Sequence, residues 1–405
     1  MRVLYVHQFF ATRDSSLGLI RSYEFARRMV DRGHEVTMVT SSSRLPESYD
    51  RQLLAQGVID GIRIRSVRVR YSNYMGTFRR IWSFLLFTVG ASFAALAAGR
   101  HDIVFATSTP LTVGLPGWLA AAVRRVPFVF EVRDLWPEAA IQMGAFSRDG
   151  LFARAAKALE RFLYRRAKAV VALSPGMADG VIGEGIEPAR VHMIPNCSDL
   201  DLFHPAPKDP GLVERYDLGD RFVVGYAGAI GPSNALEENV PEAARLLHER
   251  GRSDIVFLIA GEGKSVPLLT ERIAGLPNVR LVGSLPKREV PLLTRTADVL
   301  LVLFADVPIL ATNSPNKFFD ALASGRPVIV NQPGWTREIV EEHGVGRAVT
   351  AGDGRALADA IETLADDPEL TGTMGRAART LAEREFGRDQ QADRLIALLE
   401  EIAGD

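Results

Sequence analysis

An apolar strand, a loop and an amphipathic helix recur along the whole chain, and this alternation restricts the fold more than any other feature. Arg2–His7, Glu35–Thr40, Ile62–Val69, Asp102–Ala106, Phe128–Val132 and Ala169–Leu173 are mostly apolar runs of strand length, as parallel strands covered on both faces require. Helical patterns at 19–31, 113–124 and 151–167 lie between them, and Gly33 follows the first where a left-handed terminator belongs. Such alternation predicts a parallel sheet with right-handed crossovers. The pattern breaks between Asn196 and Asp220, where the Pro205–Gly211 run reads as a linker. It then restarts with strands at Phe222–Tyr226, Ile255–Ala260, Val279–Val282, Val299–Phe304 and Pro327–Val330, and helices near 237–250, 266–274, 288–295 and 316–323. The predicted fold class is therefore α/β: two doubly wound, Rossmann-like domains facing across a cleft, at 1–204 and 205–385. A closing helix, 386–405, is expected to pack back on the first domain. Ligands of open parallel sheets sit beyond the carboxyl ends of the strands, so chemistry is sought in the loops there.

Composition removes several functions. The 405 residues exceed one ordinary core. Lys plus Arg is 48 and Asp plus Glu is 49, a net charge of -1; nucleic-acid binding, which needs excess positive charge, is not expected. The single cysteine, Cys197, excludes an intrachain disulfide and a multi-cysteine metal site. The histidines show no His-x-x-x-His or His-x-x-Cys spacing, so no metal site is expected. The amino terminus reads as a buried strand rather than a signal peptide, which implies a cytoplasmic protein. Ile81–Ala98 pulls the other way: it carries no charge over about 18 residues, the lower limit for a bilayer span, and arginines flank it. A span would put neighbouring strands on opposite sides of the membrane. A helix of the first domain, buried or on its ligand-facing side, is the preferred reading, and peripheral contact of 79–101 with the inner face of a membrane stays open.

Four loops carry candidate chemistry. Ala227-Gly-Ala-Ile-Gly231 follows a strand; Gly228 and Gly231 either let backbone N–H groups approach a phosphate or make a tight turn. In Asn313-Ser-Pro-Asn-Lys-Phe-Phe-Asp, Ser314 is read as the helix N-cap and Pro315 as the first helical residue. Lys317 in the first turn opposes the helix dipole, which makes sense if an anion occupies the site; a solvated Lys317–Asp320 pair is the other reading. Glu131-Val-Arg-Asp-Leu-Trp-Pro-Glu is either a pocket wall or an Arg133–Asp134 surface pair over Trp136. Ile194-Pro-Asn-Cys-Ser-Asp reads as a hinge.

Together these loops resemble the family 4 glycosyltransferases of GT-B fold, and more narrowly the bacterial fucosamine-transferase-like subgroup. The matching segments are Arg32-Gly-His-Glu-Val-Thr, Glu131-Val-Arg-Asp-Leu-Trp-Pro, Leu173-Ser-Pro-Gly-Met, Ile194-Pro-Asn, Asp201-Leu-Phe, Tyr226-Ala-Gly, Ala260-Gly-Glu-Gly and Ser314-Pro-Asn-Lys-Phe-Phe-Asp-Ala-Leu-Ala-Ser-Gly-Arg-Pro-Val. The resemblance implies an acceptor-binding first domain and a second domain that binds a nucleotide-diphosphate sugar, with uridine favoured as base. It implies retaining, metal-independent transfer to an acceptor hydroxyl in cell-surface polysaccharide or glycoconjugate synthesis, with no cofactor beyond the donor substrate. Asp320 would hold the ribose, Ser314, Pro315, Asn316 and Lys317 would cradle the diphosphate, and Gly228 and Gly231 would approach the donor. Gly18 would face the donor from the first domain, with Arg133 beside it and Asp134 orienting a sugar. The chain departs from the family at Thr312, where the first acid of Glu-x7-Glu belongs, at Pro232, where an arginine is usual, and at Arg133 and Cys197. Lys264 and Lys317 are candidates to replace the missing phosphate charge. The acceptor is a lipid-linked sugar or a small soluble molecule, as in natural-product tailoring. A catalytically impaired donor-binding subunit is a further alternative.

Overall fold

The computed structural model describes residues 1–13, 20–72 and 75–404. It forms two compact units: Met1–Pro195 with Gln391–Asp405, and Asn196–Gln390.

The first unit is built on eight strands: β1 (Arg2–Val6), β2 (Glu35–Ser41), β3 (Leu54–Ile59), β4 (Ile62–Val67), β5 (Ile103–Thr107), β6 (Phe128–Val132), β7 (Ala169–Ala172) and β8 (Val191–Met193). Their order is β3-β4-β2-β1-β5-β6-β7-β8. The central strands are buried along nearly their whole length, which is why their sequences run apolar without alternation. The register aligns their ends: Val6 lies opposite Val39 and Ala106, and Thr107 opposite Glu131. The residues that follow these strands therefore emerge together at one edge. Among the described strands only β3 is antiparallel. It joins β4 through Asp60 and Gly61, both at positive φ (46° and 77°), the geometry of a two-residue type I′ hairpin.

The second unit has β9 (Phe222–Ala227), β10 (Ile255–Ala260), β11 (Val279–Leu281), β12 (Val299–Val302), β13 (Val328–Val330) and β14 (Gly346–Ala348), all parallel, in the order β11-β10-β9-β12-β13-β14. Its core gathers Val224, Tyr226, Phe257, Ile259, Leu247 and Leu357. The strand order reverses between β9 and β12, so their carboxyl ends bound the crevice where doubly wound sheets take ligands.

Three expectations change. The division between units falls at Pro195, ahead of the proline-rich run, because Asn196 and Ser198 hydrogen-bond within the second unit and Ser198 bridges to Gly387. The closing helix, Arg388–Gly404, gives the first unit only the part beyond Gln390; there Asp393 pairs with Arg32, and Glu400 lies 3.3 Å from His34 Nε2. The apolar segment forms helix Thr77–Leu96. It is not buried all round: Ser83, Phe87, Ala91, Ala94 and Ala95 are inside, while its opposite face is exposed. Among the described residues no helix is long and apolar enough to cross a membrane.

Candidate functional site

The second-unit site begins with where β9 ends. Tyr226 is buried on that strand, and its hydroxyl donates to Ala229 O (2.6 Å) in the turn that follows. Lys317, half-buried in the first turn of helix Asn316–Ala323, donates to the same hydroxyl at 2.6 Å. Its Nζ lies 4.1 Å from the Tyr226 ring centroid and 5.9 Å from that of Phe304, which follows β12. The ammonium thus sits at the switch point between β9 and β12. With the Asn234 amide oriented by its neighbours, Nδ2 donates to Ala229 O at 2.8 Å and Oδ1 accepts from Lys317 Nζ at 3.3 Å. Among the described residues no carboxylate is within ion-pair distance of Lys317. Burial without a counter-charge lowers its pKa to about 7. Burial, with the Glu237 charge adding to it, pushes the Tyr226 hydroxyl up, so this partner stays neutral.

Gly228 shows why a glycine stands in this turn. Its φ is 158°, and a Cβ there would lie 3.0 Å from Lys317 Nζ and 3.1 Å from Cε. Nothing lies within 4 Å of the corresponding position at Gly231, so packing gives no reason for that glycine. Lys264 is exposed. It follows Gly263, where a Cβ would meet Ile230 O at 2.1 Å; close loop packing therefore brings Lys264 beside the 228–231 turn.

Ser314 is not the N-cap. The helix starts at Asn316, with Pro315 in the cap position and no side-chain cap bond. Ser314 is instead held by Asn196, whose backbone N–H donates to its Oγ (3.2 Å) and whose Nδ2 donates to its carbonyl (2.6 Å). The uncapped start leaves the helix's N-terminal dipole to whatever anion approaches. Asp320, one turn on, accepts from Ser198 Oγ at 2.7 Å. Lys317 and Asp320 are thus tied to different partners, which replaces the solvated-pair reading. Thr312 donates to Ile309 O (2.8 Å), closing the short 3-10 turn before the helix.

In the first unit the edge below β1, β5 and β6 carries a second polar cluster. Arg133 does not pair with Asp134: its Nε donates to Glu131 Oε2 at 3.1 Å and its Nη2 to Ser22 Oγ at 3.3 Å. Glu131 is fully buried; Arg21 Nε and Nη2 donate to its Oε1 at 3.0 and 2.9 Å, and Thr107 donates to Oε2. Burial would raise the Glu131 carboxyl, but Arg21, Arg133 and Thr107 outweigh it and hold it below the usual range. Arg21 also donates to the carbonyls of Ile194 and Pro195. Asp134 accepts from Thr109 Oγ1 at 2.9 Å, and burial raises its pKa against the pull of Thr109 and Arg133. His7, just past β1, shares a 2.8 Å hydrogen bond with Ser22; burial and then Arg133 and Arg44 drive its pKa well down, so it is neutral. Gly18 lies outside the described residues. Sequence reasoning missed Tyr226, Asn234, Arg21 and His7 as site residues; for Tyr226 and His7 a position at or just after a strand end was the available signal, whereas Arg21, the first residue of helix Arg21–Asp31, and Asn234, seven residues past β9, carried none. Among the described residues no group of three His, Cys, Asp or Glu side chains is placed to hold a metal ion.

Two domain families match the chain: the glycosyl transferase 4-like domain over residues 20–197 and glycosyl transferases group 1 over residues 221–367. An alpha-D-kanosaminyltransferase of Streptomyces kanamyceticus is 28% identical over 257 residues, covering 61% of this chain and 64% of that enzyme, less than two thirds of its length. A D-inositol 3-phosphate glycosyltransferase of Catenulispora acidiphila is 27% identical over 393 residues, covering 93% of this chain and 88% of that enzyme. The crystal structure of Anabaena HepE in complex with UDP-glucose has a TM-score of 0.73 at 19% identity, covering 99% of this chain and 100% of that one, a likeness of fold.

Proposed function

From the premise that this chain belongs to the family 4 glycosyltransferases, with their two-domain GT-B fold, we propose that it moves a sugar from a nucleotide-diphosphate donor to an acceptor hydroxyl, with retention and without a metal ion. The observation that carries this reading is Lys317: an ammonium at the β9–β12 switch point, beside Gly228 and an uncapped helix start, with no carboxylate in reach among the described residues. A diphosphate supplies the missing counter-charge. Charge that develops on the leaving phosphate is then met by Lys317 and the helix N-terminus in place of a divalent ion, and Lys264 adds a second, exposed cation. The acceptor hydroxyl and leaving oxygen share one face of the sugar, so no nucleophilic side chain is required. Asp320 orients the ribose, and Asp134 orients a sugar. Uridine is the favoured base, as in the HepE complex.

Proton NMR of slow donor hydrolysis tests the reading. UDP-glucose and related α-linked donors, incubated with the protein in EDTA, should release the α-anomer first. Release of the β-anomer, or turnover only with added magnesium, overturns it, and no turnover of any donor moves the impaired-subunit alternative ahead. For the acceptor, the D-inositol 3-phosphate glycosyltransferase match favours a small polar molecule as a second reading beside a lipid-linked sugar.

A further inference from the structure

Helix Thr77–Leu96 presents Phe78, Trp82, Leu85, Leu86, Val89 and Phe93 to solvent, each 47% to 81% exposed. Spacings of three, four and seven residues put them on one face. The opposite face is satisfied: Phe87, Ala91 and Ala95 are buried, and a Cβ at Gly90 would lie 2.4 Å from Val67 of β4. The outer stripe is therefore not core left over from poor packing; it is a second apolar surface about 22 Å long. The sequence on either side of it is basic. Between Asp60 and Asp102 the chain has seven arginines and no acidic residue. Arg79 and Arg80 stand at the start of the helix and Arg100 just past its end, where Arg124 also donates to Leu96 O at 2.7 Å.

We propose that this helix docks flat on an anionic lipid bilayer, its apolar stripe in the acyl–headgroup boundary and its terminal arginines on lipid phosphates. A second copy of the chain fits the stripe less well. A two-fold contact sets the same patch against itself and brings arginines of both copies together with no acid between them. Of the two acceptor classes left open above, docking favours the lipid-linked one; that clause rests on the transferase reading, whereas docking stands on the helix alone.

Vesicle flotation tests it. The full chain should rise with vesicles of phosphatidylcholine containing about one-third phosphatidylglycerol, and much less with phosphatidylcholine alone or in high salt. The double variant Trp82→Glu, Phe93→Glu should cut the bound fraction at least about tenfold, and each of Arg79→Gln and Arg100→Gln about fivefold. Both exposed replacements leave the core intact, so melting temperature and nucleotide binding without vesicles should match the parent protein. A parent protein that stays at the bottom, or a double variant that still floats, overturns docking. Self-association in sedimentation that the double variant abolishes, with no flotation of the parent, assigns the stripe to a second copy instead. Flotation without nucleotide binding or donor hydrolysis refutes the transferase reading and leaves docking standing; nucleotide binding without flotation does the reverse.

Discussion

Lys317 should make donor binding take up a proton. In the free protein its pKa is about 7, and the diphosphate binds the charged form. Affinity then follows the protonated fraction. This is nearly complete at pH 6, about one half at pH 7 and about 3% at pH 8.5, so the dissociation constant of UDP-glucose should rise roughly thirtyfold from pH 6 to 8.5, ~2 kcal/mol. Neither the diphosphate diester nor uracil titrates substantially across that range, which isolates the protein's contribution. Calorimetry in buffers of different ionisation enthalpy should show uptake of about half a proton at pH 7 and nearly one at pH 8. Lys317→Arg, always charged, should flatten the profile. The same shift works against the fold: the unfolded lysine binds a proton up to about pH 10.4 and the folded one only to about 7, so this group's contribution to stability rises with pH between those values. A flat affinity profile with no proton uptake would refute the assignment of Lys317 to the donor.

Further outcomes follow from particular contacts. Gly228→Ala places a methyl 3.0 Å from Lys317 Nζ; it should displace the ammonium and weaken UDP binding at least about tenfold, ~1.4 kcal/mol, measured by calorimetry. Glu131→Gln leaves Arg21 and Arg133 without their buried counter-charge and should cost about 3–5 kcal/mol, read from the urea midpoint. Because the Glu131 carboxyl is held below the usual range, its stabilisation is present above about pH 4.3 and disappears as pH falls through the depressed value; acid titration of the parent protein should show a loss of stability that the Gln variant lacks. Asp320→Ala should raise the donor KM more than it lowers kcat, whereas Ser198→Ala, which removes one hydrogen bond, should cost about 1 kcal/mol of stability and leave KM within a few-fold.

Much of the fold is legible in the chain because buried parallel strands must be apolar throughout, and that shows at Phe128–Val132 and Ile255–Ala260 without any partner being known. The edge strand Leu54–Ile59 is half-exposed, so hydropathy hides it, although Asp60-Gly61 marks its turn. Lys317 stands out alone, since a cation at a helix start conflicts with the dipole. Its partners do not: Tyr226 is 91 residues away in sequence, and only the return of the chain to the β9–β12 crevice brings them together. Arg21 and Glu131 meet in the same way across 110 residues. The outer stripe of helix Thr77–Leu96 is illegible for a different reason. Both faces are apolar, so no periodicity tells which one the sheet covers.

The central claim is that a nucleoside diphosphate binds against Lys317 without a metal ion. The most direct test is a thermal-shift panel of uridine, guanosine, thymidine and adenosine diphosphates in EDTA, run on the parent protein and on Lys317→Met. One nucleotide at about 100 times its dissociation constant should stabilise the parent by roughly 2.7 kcal/mol, a shift of a few degrees, and should leave Lys317→Met at its unliganded melting temperature. Equal shifts in both proteins, or a shift in the parent only when magnesium is added, would contradict the account.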